Sequence, residues 1–196
     1  MTRLLLVRHG ESEWNAIRRW QGWADPPLSE LGERQATVAA RAVGGVDAVV
    51  ASDLQRAHRT AAIIAQEIGV GPVVIDASLR ERDAGPWTGM TRVEIEREWP
   101  GYLASGKRPD GYEDDDALLD RVIPSLHTLE GAGEVALVVT HGGVIGAVER
   151  WLGAEHLRTP NLGGRVVEID SGRASLGETL LLVNEHDVHV TAPPEV

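Results

Sequence analysis

Hydrophobic and polar positions follow one another along this chain in blocks. Residues 4–7 form a short apolar run that breaks off at Arg8, His9 and Gly10, the pattern of a buried strand ending in a sharp turn permitted by glycine. After a loop containing Trp20-Gln21-Gly22-Trp23-Ala24-Asp25-Pro26-Pro27, Ser29 stands where a helix N-cap belongs. The apolar positions Leu31, Val38, Ala39 and Ala42 then keep helical spacing as far as Gly44-Gly45. The unit repeats, with a strand over 46–51 and a helical face of Leu54, Ala57, Ala61, Ile64, Ala65 and Ile68 closed by Gly69. A third strand is expected over 73–75, whereas 79–89 is too rich in glycine for a stable helix. A helix over 91–99 precedes a polar insertion, 100–116, that reads as an exposed loop or lid. From Ala117, Leu118, Leu119, Val122, Leu126 and Leu129 mark another helix, which Pro124 is expected to kink or divide. Residues 135–139 are the clearest buried strand, and they lead into Thr140-His141-Gly142-Gly143 and the amphipathic run Val144, Ile145, Val148, Trp151, Leu152. Strands over 165–170 and 179–183 close the pattern, and the chain beyond Asn184 is polar with two prolines. This alternation predicts an α/β fold, a three-layer α/β/α sandwich with a mostly parallel central sheet. The 196 residues are read as a single domain, 1–196, with a small lid insertion at about 89–116.

Charge narrows the partners. A net charge of −11, from 19 Lys and Arg against 30 Asp and Glu, repels nucleic acid and anionic lipid. No segment approaches the roughly 18 consecutive apolar residues of a membrane span, and the start is too short in apolar residues for a secretory signal. With no cysteine there is neither a disulfide framework, a thiol nucleophile nor a cysteine metal site. A cytoplasmic protein without nucleic-acid or membrane partners is the expectation; a homodimer is left open.

Three strand ends carry the chemistry: Arg8 with His9, then Arg56 just after the second strand, then His141. Parallel connectivity brings the carboxyl ends of these strands to one edge, where ligands of open α/β sheets bind. Two guanidiniums and two imidazoles make an anion pocket; arginine forks suit phosphate oxygens, and Asn15 and Ser12 add neutral hydrogen bonds. In the loop 79–89, Glu81 lies between arginines and is the candidate proton donor and acceptor, with Asp83 its nearest rival. Arg59, one turn after Arg56, is read as a surface residue, and the acidic run Glu113 to Asp116 as a solvated face. Trp14, Trp20, Trp23 and Trp87 are read evenly as pocket walls or core aromatics. His186 and His189 have metal-compatible spacing but sit in a polar tail, so no metal and no cofactor is assigned.

The run Arg8-His9-Gly10-Glu11-Ser12-Glu13-Trp14-Asn15 resembles the signature of the histidine phosphatase superfamily, the phosphoglycerate-mutase-like proteins. Three further blocks resemble that family in the same order: Ser52-Asp53-Leu54-Gln55-Arg56-Ala57-His58-Arg59-Thr60-Ala61, Leu79-Arg80-Glu81 through Trp87-Thr88-Gly89, and Thr140-His141-Gly142. The resemblance implies that His9 is the nucleophile and forms a phosphohistidine, and that Arg8, Asn15, Arg56 and His141 hold the phosphoryl oxygens. Glu81 protonates the leaving oxygen and then activates water. Ser12, Gln21, Gly22 and Gly142 are candidates for substrate contacts, and the partner is a small phosphorylated metabolite. Flanking cations favour the neutral form of an imidazole whose ordinary pKa is ~6.5, and phosphoryl transfer needs positioning and charge neutralisation more than covalent help. A metal-independent hydrolase is favoured over a phosphoglycerate mutase. Mutases of the family carry a tyrosine where Ala84 stands, an asparagine where Gly143 stands, and a lysine where Arg92 stands. A non-catalytic phosphate-binding regulatory domain is the third reading; it would normally have lost His9 or Glu81. Substrate choice falls to the lid, and phosphorylated sugars, phosphoglycerate derivatives and a cobalamin precursor phosphate are all compatible.

Overall fold

In the computed structural model, which describes residues 1–155 and 158–191, the opening apolar run becomes β1 (Thr2–Arg8), the strand between two layers of helices. The other elements follow as α1 (Glu13–Ala16), α2 (Glu30–Ala39), β2 (Ala48–Ala51), α3 (Gln55–Ile68), β3 (Val74–Ile75), α4 (Arg92–Glu98), α5 (Tyr102–Ser105), α6 (Asp115–Thr128), β4 (Val135–Thr140), α7 (Gly142–Trp151), β5 (Gly163–Asp170) and β6 (Arg173–Leu181). Short 3₁₀ turns, Ala77–Leu79 and Gly85–Trp87, fill the glycine-rich stretch. Successive side chains of a strand point to opposite faces. Leu5 and Val7 accordingly pack with Ala36, Ala57, Ala61 and Ile64 of α2 and α3, whereas Leu4 and Leu6 pack with Leu118 and Val122 of α6 and Val144 and Ile145 of α7. A strand buried on both faces has no reason to alternate, which explains its unbroken apolar run.

The sheet has the order β3-β2-β4-β1-β5-β6. β3, β2, β4 and β1 run parallel, and the pairs β1–β5 and β5–β6 are antiparallel, so the three-layer, mostly parallel expectation holds. Register carries the functional consequence. Arg8 of β1 lies opposite Thr140 of β4, and Ala51 of β2 lies opposite Val139, so the next residues, His9, His141 and Ser52, emerge side by side at one edge.

Several elements differ from the sequence reading. Ser29 does cap α2, its hydroxyl accepting from Gly32 N–H at 3.0 Å, but the helix ends at Ala39. Beyond it the chain tightens into i→i+3 bonds from Arg41 and Ala42 before reaching Gly44. Pro124 does not divide α6, which runs unbroken through it while Val122, Ser125 and Leu126 stay buried. The run Glu113 to Asp116 is no mere solvated face. Asp114 caps α6 by accepting from Ala117 N–H at 2.9 Å, Glu113 pairs with Arg121 at 2.8 Å, and Asp115 joins Arg82 to Arg150. Acidic residues suit a helix N-terminus, where unpaired N–H groups carry partial positive charge. β6 begins at Arg173, earlier than expected, because Ser171 and Gly172 both take positive φ and form a two-residue hairpin turn. The insertion 100–116 is partly ordered by α5, whose Leu103 packs with Trp87, Ile95 and Ala84. The two prolines of the tail lie outside the described residues. Among the described residues no helix is long and apolar enough to cross a membrane.

Candidate active site

A cavity of about 350 Å³ opens over the carboxyl ends of β1, β2 and β4, and Arg8, His9, Asn15, Arg56, Glu81 and Gly142 are in its wall. Gln21 and Gly22 line it as well. Ser12 and His141 do not: both are fully buried, His141 against the ring of His9, and the Ser12 hydroxyl donates to Gln21 Oε1 at 2.8 Å and accepts from Asn15 N–H at 3.2 Å, so it shapes the loop rather than the cavity surface. Asn15 Oδ1 accepts from Ser12 N–H at 3.2 Å. With the oxygen so occupied, the amide NH₂ is the end left for a ligand, the polarity an anion needs.

His9 is 2% exposed and its Nδ1 lies 2.6 Å from Gly10 O. A carbonyl only accepts, so Nδ1 carries the proton and the lone pair is at Nε2. Burial, with Arg56 and Arg8 adding, holds His9 well below the ordinary imidazole pKa, and the ring is neutral at pH 7. Gly10 does not take positive φ. It is glycine because a Cβ there would meet Gly32 O at 2.6 Å, where the loop after β1 presses on the start of α2.

Arg8 donates to Thr159 O at 2.9 Å, and the fully buried Arg56, in the first turn of α3, donates to Ala24 O at 2.8 Å and Gly22 O at 2.9 Å. Burial lowers each to about 10, so both remain cations at pH 7. Neutral carbonyls fix these guanidiniums, and their charge stays available to a ligand. Among the described residues Arg56 Nε and His141 Nδ1 are buried and have no hydrogen-bond partner. The His141 ring packs against that of His9 with centroids 5.2 Å apart, and its Nε2 lies 3.0 Å from Ser52 Oγ. Burial first, then Arg56, His9 and Arg8, keep His141 neutral as well.

Glu81 bridges two backbone donors, Oε1 accepting from Arg82 N–H at 2.7 Å and Oε2 from Gly143 N–H at 3.1 Å. Its own carbonyl is held by Trp23 Nε1 at 2.7 Å and by Arg121 at 3.0 Å. Arg121 also binds the carbonyls of Ser78 and Arg80, at 2.7 and 2.8 Å, and so organises the whole loop. Sequence reasoning missed Arg121 because on a helix facing solvent an arginine looks ordinary. It also missed Arg18, Arg82, Tyr112, Arg158, Thr159 and Thr191 in the cavity wall; only Arg18 departs from the usual backbone, at φ 57°. Asp83 is occupied as a turn acceptor for Gly85 N–H at 2.9 Å, and Arg59 is an exposed partner of Glu33 at 2.8 Å. Of the tryptophans, Trp87 is fully buried core, Trp20 stands in the cavity wall and stacks edge-on against Trp87 at 5.1 Å, and Trp23 is 43% exposed. His189 pairs with Glu185 at 3.2 Å, and among the described residues no group of three or more His, Cys, Asp or Glu is placed to hold a metal ion.

The profile of the Histidine phosphatase superfamily (branch 1) matches residues 4–177. The chain belongs to that superfamily. Within it, the chain is 36% identical over 179 residues to the glucosyl-3-phosphoglycerate phosphatase of Mycolicibacterium vanbaalenii, covering 83% of this chain and 79% of the relative. It is 41% identical over 159 residues to the probable phosphoglycerate mutase GpmB of Cronobacter sakazakii, covering 76% and 73%. Among solved structures, mycobacterial glucosyl-3-phosphoglycerate phosphatase in complex with VO3 superposes with a TM-score of 0.82 at 28% identity, covering 90% of this chain and 97% of that one. Arg56 Nε and His141 Nδ1 are thus two of the buried nitrogens without a partner among the described residues, and both residues act electrostatically on the neutral His9 or pack against its ring.

Proposed function

We propose that this histidine phosphatase hydrolyses small phosphate monoesters through a phosphohistidine on His9. The observation that carries the reading is a neutral imidazole with Nδ1 tied to Gly10 O, buried between two guanidiniums that stay charged. His9 Nε2 attacks phosphorus, the bond from phosphorus to the ester oxygen breaks, and that oxygen leaves with a proton from Glu81. Arg8, Arg56, Asn15 and the Nδ1–H of His141 take the three equatorial oxygens, on which charge is spread in the transition state. Glu81, now a carboxylate, takes a proton from water as it attacks phosphorus, the P–N bond breaks, and inorganic phosphate leaves with His9 neutral again. No step calls for a metal.

The finer reading concerns the substrate. Arg18 and Arg92 line the same cavity together with Trp20, Leu103 and Tyr112. That wall favours a phosphate ester whose leaving group carries a second anionic group on an organic body, as a glycosylated phosphoglycerate does. The segment 89–116, which supplies Arg92, Leu103 and Tyr112, acts as the lid of the single domain. The reaction is assigned to the cytoplasm.

Two measurements test this. Brief mixing with ³²P-labelled substrate should give an acid-labile, alkali-stable phosphoprotein that His9→Ala lacks; label persisting in that variant removes His9 from the role. With 3-phosphoglycerate and 2,3-bisphosphoglycerate supplied together, inorganic phosphate should accumulate with little 2-phosphoglycerate. Efficient isomerisation would establish the mutase chemistry of the second relative's name, and neither product with any ester of a broad panel would establish a binding domain.

A further inference from the structure

Gly143, the second residue of α7, lies in ordinary helical backbone with no positive φ, so its own conformation does not require glycine. Its surroundings do. A Cβ at this position would lie 2.2 Å from Glu81 Oε1, 3.1 Å from Cδ and 3.4 Å from Oε2; the nearest neighbours are all atoms of one carboxylate. At Gly142, one residue earlier, a Cβ would make only ordinary contact, 3.6 Å from Arg8 Cδ. The demand for a missing side chain is thus specific to position 143, and it comes from Glu81 alone.

We propose that Gly143 is a positioning residue for Glu81: by having no side chain it lets the carboxylate rest against the first turn of α7, held by the Gly143 and Arg82 N–H groups. The inference rests on the reading of Glu81 as the acid and base. A methyl at 143 meets the far end of a flexible side chain and no backbone atom, so the carboxylate yields while the helix stays. To restore normal separation it must move by about 1 Å. Misplacement of that size costs about 10²-fold when a catalytic group has to meet a reacting atom. The second step suffers most, because water needs its proton removed whichever leaving group has gone, whereas nitrophenolate departs with little help.

Gly143→Ala therefore isolates the effect. The melting midpoint should equal or exceed that of the wild type, since alanine in a helix outperforms glycine where the backbone allows both. Steady-state turnover of p-nitrophenyl phosphate should fall about 10²-fold, with a preserved nitrophenol burst and phosphohistidine accumulating on rapid quenching. In a Glu81→Ala background, adding Gly143→Ala should change turnover by less than about twofold, the signature of two residues acting through one group. Wild-type turnover in Gly143→Ala overturns the proposal, as does a full loss repeated in the Glu81→Ala background, which would mean that the methyl simply crowds the cavity. If Glu81→Ala itself turns over like the wild type, the acid–base reading has failed, and the positioning role falls with it.

Discussion

Lowering the pH should destabilise this protein in a way that reports directly on the two buried imidazoles of the candidate site. His9 and His141 are buried with ring centroids 5.2 Å apart, and protonating either would add a cation beside Arg8 and Arg56. Both are held well below the ordinary pKa of 6.5 in the folded state. The unfolded chain takes up these protons near pH 6.5 while the folded chain does not. Stability is therefore fully present above the unfolded pKa and is lost as pH falls through it, down to the folded values. Between pH 7.5 and 5.5 each histidine contributes on the order of 1 kcal/mol of loss, a sizeable share of the 5–15 kcal/mol that stabilises an ordinary domain. Urea unfolding at the two pH values measures it, in buffers free of phosphate, which would bind the folded state. Other groups also titrate in this range, so the decisive quantity is the difference from His9→Asn, which keeps an N–H near the position of Nδ1. That variant should lose on the order of 1 kcal/mol less than the wild type over the interval, and His141→Asn likewise. Identical pH dependence in wild type and variants would refute the argument, because the folded imidazoles would then be taking up protons as freely as the unfolded ones.

Ser52→Ala should reduce kcat/KM about tenfold and weaken inhibition by inorganic phosphate. The Ser52 hydroxyl lies 3.0 Å from His141 Nε2 and accepts from Leu54 N–H at 3.3 Å, so by donating to Nε2 it leaves Nδ1–H, the nitrogen without a partner, for a phosphoryl oxygen. Unchanged phosphate inhibition in that variant would show that the tautomer is set elsewhere. EDTA should leave turnover unaltered, because Arg8 and Arg56 already place two positive charges where a phosphate-bridging cation would sit; a several-fold loss restored by a divalent ion would contradict this.

The sequence was legible where one pattern met one physical demand. An apolar run stopping at Arg8-His9-Gly10 located both a buried strand and the site edge; the motif around His141 follows β4, the parallel neighbour of β1, and the motif around Arg56 follows β2, the next strand beyond it. Illegible features were those decided by partners remote in sequence. Arg121 gathers the 78–81 loop from forty residues away, and nothing in its helical neighbourhood distinguishes it. A charge run normally reads as solvated, yet Arg82 from the 79–89 loop and Arg150 from α7 both meet Asp115. Pro124 lacks one N–H, but apolar contacts on the buried face of α6 outweigh the loss of a single helical bond. Gly10 needed glycine for close approach to α2 and not for a turn, a distinction that only the packing reveals.

The register of β1 against β4 was equally hidden, although the chemistry depends on it. Both strands are continuous apolar runs buried on two faces, so a slip by one residue would cost little in hydrophobic burial while moving His9 about 3.3 Å along the sheet relative to His141. Side-chain pattern therefore does not choose the register. The choice is made at the far end of the strands, by polar groups that accept only one alignment. Thr2 Oγ1 donates to Gly133 O at 3.1 Å and accepts from Gly131 N–H at 3.0 Å. Asp47 Oδ2 accepts from Glu134 N–H at 2.7 Å and Val135 N–H at 3.0 Å, and Arg3 N–H reaches Glu134 O at 2.8 Å. These contacts tie the beginnings of β1, β2 and β4 together. Parallel strands of fixed rise carry that alignment about 20 Å to the opposite edge, where it appears as two imidazole rings with centroids 5.2 Å apart. Residues remote from the cavity thus decide whether His9 and His141 stand side by side, the arrangement on which the proposed chemistry rests.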